Sequence, residues 1–146
     1  MVLNKALFSS NSDEWETPTQ LYAELTAEFH FCGDLAASGE NAKCDNYFTK
    51  EDDALSQNWA GLSTTGRYLF LNPPYSNIKD WVKKAYEENL KGAKIVMLIP
   101  ARTDTIYFHQ WIYKNPNVEI RFIKGRLKFS NSKNSAPFPS MIVVFR

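Results

Sequence analysis

Apolar residues recur along the chain at two periods, and the alternation between them lays out the elements. "PTQLYAELTAEF" sets Leu21, Tyr22, Leu25 and Phe29 at helical spacing, with Thr17 as the expected N-cap and Pro18 at the first helical position. "FHFCGDLAAS" predicts a short strand ending at Asp34, followed by a loop of small residues. Residues 39–66 are polar, broken by Gly, Asn and Asp, and show no period, although Tyr47, Phe48 and Trp59 punctuate them. The run Tyr68-Leu69-Phe70-Leu71 predicts a buried strand that ends on Asn72.

An amphipathic helix follows over "NIKDWVKKAYEENLKG", with Ile78, Trp81, Val82, Ala85 and Leu90 on one side and Gly92 as its stop. "AKIVMLIPA" predicts a second buried strand, ending at Pro100. "TDTIYFHQWIYK" can form a helix around Ile106, Phe108, Trp111 and Ile112. "VEIRFIKG" alternates as a half-buried strand does, and "MIVVFR" predicts the last strand after a polar "SNSKNSA". Strand and helix alternate with short links, which predicts an α/β fold: a mostly parallel sheet with helices on both faces. "RFIKGRLKF" and "FPSMIVVF" predict an antiparallel pair at the C-terminal edge. No internal repeat divides the chain, so residues 1–146 read as one domain, with 1–12 as a flexible N-terminal segment. In such sheets ligands sit at the carboxyl ends of strands. That places Asp34, Asn72 and Pro100-Ala101-Arg102 on one rim.

Composition narrows the class. Apolar content of 44% and charged content of 23% are those of a soluble globular chain. No apolar run approaches the ~20 residues that cross a bilayer, and the N-terminus lacks a secretory signal's apolar core. Cys32 and Cys44 are expected as thiols in an intracellular protein, and nothing spaces them as half of a zinc site. The net charge of +1 conceals an asymmetry: residues 1–58 carry 3 basic and 11 acidic side chains, residues 114–146 carry 7 and 1. A basic C-terminal third suits a polyanion, though lysines that merely solubilise a surface would look the same.

The most informative stretch is "RYLFLNPPYSN". A plain turn after a strand needs one proline; here two fix successive φ angles and remove two backbone donors. An amide precedes them and a flat ring follows. A planar amine such as the N6 of adenine has two N–H donors and a lone pair delocalised into its ring. The side-chain carbonyl of Asn72 and the backbone carbonyl of Pro73 would accept both hydrogens, while Tyr75 stacks on the ring.

Asn72-Pro73-Pro74-Tyr75 resembles the catalytic tetrapeptide of amino-group methyltransferases that use S-adenosylmethionine. That motif is specific for the reaction and shared by enzymes acting on DNA, RNA and protein. "DEWETP", "DLAAS", "NAKCDNYFTKEDDAL", "LNPPYS", "IPARTDT", "IRFIKGRLKF" and "APFPSMIVVF" are similar to the small phage-type DNA N6-adenine methyltransferases (Dam family), from about Asp13 to Phe145. The resemblance implies an abbreviated Rossmann-like class I methyltransferase fold, S-adenosylmethionine as cofactor, double-stranded DNA as partner, no metal, and a cytoplasmic setting, in a host cell if phage-encoded.

It also implies roles. Asp34 with Ala36, Ala37 and Ser38 would form the cofactor loop, although the usual glycines are missing. Trp15, Thr17 and Pro18 would lie over the cofactor's methionine end. Asp53, with Asp52 as the alternative, would accept from the cofactor's adenine amine. Phe138 would stack on the far face of a flipped target base, with Phe129 as its rival. Arg126 and Lys128 suit phosphates, and Arg102 either contacts DNA or braces the rim. His109, Trp81 and Trp111 read as structural. Little of the chain is left for a recognition region, so a second copy could supply surface. Two alternatives stay open: methylation of RNA or protein, and a catalytically silent nucleic-acid-binding protein on the same fold.

Overall fold

A computed structural model describes residues 15–36, 47–49, 52–63 and 66–146. In chain order these form α1 (Thr19–Phe29), β1 (Gly33–Asp34), β2 (Leu69–Leu71), α2 (Ile78–Leu90), β3 (Ile95–Pro100), β4 (Val118–Phe122) and β5 (Ser140–Phe145). Short helical turns stand at Ala54–Ser56, Tyr75–Asn77 and Phe108–Ile112. The segment 1–12, Ala37, Ser38 and Cys44 lie outside the described residues.

The strands make one sheet in the order β1-β2-β3-β5-β4. β1, β2 and β3 run parallel, whereas β5 runs antiparallel to both its neighbours, β3 and β4. This is the expected α/β layout with a mixed sheet. Position in the sheet follows from the sequence pattern. β3 and β5 are buried at every position and read as unbroken apolar runs, whereas the alternating β4 is partly exposed and forms the edge.

Side chains alternate between two cores. One face carries Leu69, Leu71, Ile95, Met97, Ile99 and Val143 against α2 and the Phe108–Ile112 turn. The other carries Phe70, Val96, Leu98, Ile142 and Val144 against α1, through Leu25 and Phe29, and against Phe129. Each fully buried side chain of this size contributes about 1.5–3 kcal/mol. Trp81 and Trp111 are core, as expected. Leu90 and Ile106 were expected on the apolar faces but are 65% and 72% exposed. α2 ends at Leu90 itself, before Gly92 at φ 107°, and its last turn buries Glu88 and Asn89 instead. The π-type winding at Phe108–Ile112 changes the angular step, so Ile106 falls off the face that buries Phe108, Trp111 and Ile112.

The connection from β1 to β2 contains no long helix among its described residues. Instead residues 52–63 dock on α2 through Glu88, which is 1% exposed. Its Oε1 accepts from the backbone N–H of Trp59 at 2.7 Å and of Ala60 at 3.0 Å. Its Oε2 meets Lys91 at 3.1 Å and Lys84 at 3.4 Å. Trp59 is wholly buried, with its indole N–H donated to the Ala54 carbonyl. Burial opposes ionisation of Glu88, but these donors prevail and hold its carboxyl below the usual range.

The carboxyl ends of β1, β2, β3 and β4 and the start of β5 share one rim. The Ala101 N–H donates to the Pro139 carbonyl at 2.9 Å and that of Ile123 to the Ser140 carbonyl at 3.1 Å, closing it.

Candidate active site

β2 leaves the sheet at Leu71, and Asn72 is the first residue beyond its pairing. Pro73 is buried, and Pro74 holds φ −58° and ψ 130°, which carries the chain away from the sheet before the Tyr75–Asn77 turn opens α2. The amide of Asn72 therefore projects from a stiff backbone. Its Nδ2 donates twice, to the carbonyl oxygen of Trp15 and to the hydroxyl oxygen of Thr17 at 3.0 Å. A carbonyl can only accept, so the Trp15 contact fixes which end of the amide is which. The other end, Oδ1, is buried and has no hydrogen-bond partner. An acceptor is thus held in place without a donor.

Thr17 was expected to cap α1. The helix begins one residue later than that requires, with Pro18 in the cap position and no side-chain cap. Thr17 sits outside the helix, 3% exposed, with its hydroxyl oxygen engaged by Asn72.

Four aromatic rings cluster with one another beside the tetrapeptide: Trp15, Tyr75, Phe129 and Phe138. Trp15 lies 5.3 Å from both Phe129 and Phe138, the latter edge-on. Tyr75 lies 5.7 Å from Phe138 and 6.5 Å from Phe129. Phe129 is 1% exposed and belongs to the core under the rim, whereas Phe138 is half-buried at its surface. Of the two rivals, Phe138 is the more exposed ring. The Tyr75 hydroxyl reaches toward the Leu98 carbonyl at 3.5 Å, and burial pushes its pKa up, so the phenol stays protonated.

Asp34 is buried beside this cluster, its Oδ1 accepting from the Ala36 N–H at 3.2 Å and its backbone carbonyl from Phe48 at 2.9 Å. Because Asp34 pairs with Phe70, strand spacing and rise put its Cα about 8 Å from that of Asn72. The carboxylate of Asp52 is taken up by the Thr49 N–H at 2.7 Å and hydroxyl at 3.1 Å. Asp53 is exposed, at φ 50°, ahead of the Ala54–Ser56 turn. Arg102, Arg126 and Lys128 are all exposed, on the loops after β3 and β4. His109 lies away from the amide, its Nε2 2.7 Å from the Thr103 carbonyl. Among the described residues no group of three or more His, Cys, Asp and Glu could hold a metal ion, and no helix is long and apolar enough to cross a membrane.

The sequence offered "SNSKNSA" as a loop free to read bases and did not show that two of its residues brace the site. Ser130 and Asn131 belong to the polar stretch "SNSKNSA", yet they tie down the segment Trp15–Thr17. Only contacts spanning more than a hundred residues reveal them.

A sequence profile of the DNA N-6-adenine-methyltransferase (Dam) family matches residues 5–146. A DNA N-6-adenine-methyltransferase of Haemophilus phage HP1 is 30% identical over 144 residues, covering 93% of this chain and 80% of the phage protein. One of Escherichia phage T1 is 35% identical over 97 residues, covering 66% of this chain but only 39% of its own length. The putative methyltransferase YfdM of Escherichia coli K12 is 40% identical over 65 residues, 43% of this chain and 71% of that protein.

Proposed function

The chain belongs to the DNA N-6-adenine-methyltransferase (Dam) family, and from that membership we propose that it methylates the N6 amine of adenine in DNA, with S-adenosylmethionine as donor. The observation that carries the proposal is the Asn72 amide: both Nδ2 contacts face protein acceptors, while the buried Oδ1 has none. A planar exocyclic amine supplies the missing donor.

The rim fits the cofactor in its described part. Asp34 brings a buried carboxylate to the end of β1, Asp53 an exposed one to the 52–56 turn, and Trp15 joins Asn72 through its backbone carbonyl. Asp53 rather than Asp52 is assigned to the cofactor's adenine amine, since the Asp52 carboxylate is already bonded to Thr49. Bound S-adenosylmethionine would supply a sulfonium methyl electrophilic enough that the protein need provide neither acid nor metal.

The protein's own task is to hold the amine. Asn72 Oδ1 and the Pro73 carbonyl accept its two hydrogens and turn the nitrogen lone pair out of the ring's π-system. Tyr75 and Phe138, which meet edge-on at 5.7 Å in the free protein, would part to take the faces of the base, at about 1–3 kcal/mol per stacking contact. That offsets the few kcal/mol needed to swing a base out of duplex DNA. The amine's surplus proton leaves to solvent after transfer. Positioning supplies most of the acceleration. Arg126, Lys128 and Arg102 serve the phosphate backbone.

The test is transfer of labelled methyl from S-adenosylmethionine to unmethylated duplex DNA, followed by nucleoside analysis, with Asn72→Ala as control. N6-methyladenine from the unaltered protein and a loss of about 10²–10³ in the variant are expected, the scale of removing one preorganised hydrogen bond to a reacting group. Label in RNA or protein but not DNA would move the substrate class. Failure to bind the cofactor would leave only a nucleic-acid-binding role.

A further inference from the structure

The segment Trp15–Thr17 has no regular structure, yet it carries both acceptors that orient Asn72. What holds it is the turn at Ser130-Asn131, on the link between β4 and β5. Asn131 Oδ1 accepts from the Glu16 N–H at 3.0 Å. The Ser130 N–H donates to the Glu16 carbonyl at 2.9 Å, and the Ser130 hydroxyl to the Thr17 carbonyl at 3.1 Å.

The first of these contacts has a geometric consequence. The Glu16 N–H and the Trp15 carbonyl are the two ends of one peptide group, which is planar and resists twisting. Asn131 grips one end of that plane and Asn72 Nδ2 the other. A rotation of the plane about the chain axis would therefore swing the Trp15 oxygen off Nδ2 and release the amide.

We infer that Asn131 is a positioning residue for Asn72, acting through the Trp15–Glu16 peptide, with Ser130 holding the neighbouring carbonyls. This rests on the methyltransferase reading for its kinetic consequence, not for its geometry. Asn131 and Ser130 are exposed and lie between Lys128 and Lys133. Exposed hydrogen bonds compete with water, and they strengthen when a partner covers them. A phosphate backbone gripped by those lysines would cover this turn, so DNA binding would tighten the hold on the catalytic amide.

The variants that test it are Asn131→Ala, which removes the acceptor, and Asn131→Asp, which keeps it and adds a charge. Loss of one such bond is expected to lower kcat in Asn131→Ala by about twofold to tenfold, with KM for S-adenosylmethionine unchanged. Asn131→Asp should recover most of the kcat lost in Asn131→Ala and raise KM for DNA. An unchanged kcat in Asn131→Ala, or an equal fall in both variants, would overturn the inference. A second readout needs no turnover: the side-chain ¹⁵N–¹H signals of Asn72. In the free protein these should shift and exchange faster in Asn131→Ala and stay in place in Asn131→Asp. Unmoved signals in Asn131→Ala would overturn the positioning role whatever the activity. Moved signals in a protein that methylates nothing would keep it and reject only the assigned reaction.

Discussion

Thr17→Val separates two roles for one buried residue. Valine keeps the branched shape of threonine and removes the hydroxyl oxygen that accepts from Asn72 Nδ2 at 3.0 Å. With Thr17 only 3% exposed, water does not readily replace it. If Asn72 stays in place, one amide hydrogen loses its acceptor at a cost of about 1–3 kcal/mol. If it rotates to recover a partner, Oδ1 leaves the position that would receive the substrate amine. Taking the net value of one hydrogen bond, about 0.5–1.5 kcal/mol, kcat falls roughly twofold to twelvefold. The same loss lowers Tm by roughly 2–6 °C for a chain of this size. The assay is steady-state methyl transfer with both substrates varied, beside thermal melts. A raised KM for S-adenosylmethionine at unchanged kcat would refute the reasoning, because it would put Thr17 on the cofactor instead of the amide. No change in either would mean that the Trp15 carbonyl orients Asn72 alone.

Three further outcomes can be checked. Glu88→Gln replaces a carboxylate that docks residues 52–63 on α2, and should cost about 1.5–3 kcal/mol at neutral pH. The folded-state pKa of Glu88 lies below the usual value, so its contribution is present above the unfolded pKa and fades as pH falls through the folded one. Melts at pH 7 and pH 3 should therefore show the gap between the two proteins narrowing, and a constant gap would make the effect one of packing. Tyr75→Phe should retain most activity, since the hydroxyl reaches only the Leu98 carbonyl at 3.5 Å, while Tyr75→Ala should lose about fivefold to a hundredfold in kcat/KM with the stacking face. Equal losses in both would assign the phenol a role of its own. Arg126→Ala and Lys128→Ala should each reduce the slope of log binding against log salt by about one, read from fluorescence anisotropy with duplex DNA; an unchanged slope would remove that residue from the phosphate contacts.

The elements that proved easiest to read were those whose burial is symmetric. β2, β3 and β5 are covered on both faces, so their sequences are continuous apolar runs, and the chemistry at Asn72 stands out because a strand stops there on two prolines. α2 was legible from its period up to the last turn, where Leu90 turns outward while Glu88 and Asn89 turn in. The β1–β2 connection was not legible, because it is held by one tryptophan and one distant glutamate instead of by a repeating pattern. Thr17-Pro18 satisfies the signature of a helix start, and nothing local shows that the hydroxyl serves a residue 55 positions away. The strand expected over "RFIKGRLKF" ends at Phe122, so Phe129 lies on the link beyond it, and only packing puts Phe129 inside the core and Phe138 at the rim.

The unpartnered oxygen and the two engaged hydrogens of Asn72 are one device. A buried carbonyl without a donor costs about 1–3 kcal/mol, and a free amide would relieve that cost by rotating. Here rotation would bring Oδ1 against the Trp15 carbonyl, oxygen to oxygen, so the strained orientation is also the best one available to the free protein. On the proposed function an incoming amine would relieve the cost without rotating the amide, once the groups that bury Oδ1 part to admit it. Burial of the acceptor keeps the local dielectric low, which would strengthen the bond once it is made. On the proposed function, preorganisation at this site thus lies less in the tetrapeptide alone than in the Trp15–Thr17 segment that denies its asparagine any other arrangement.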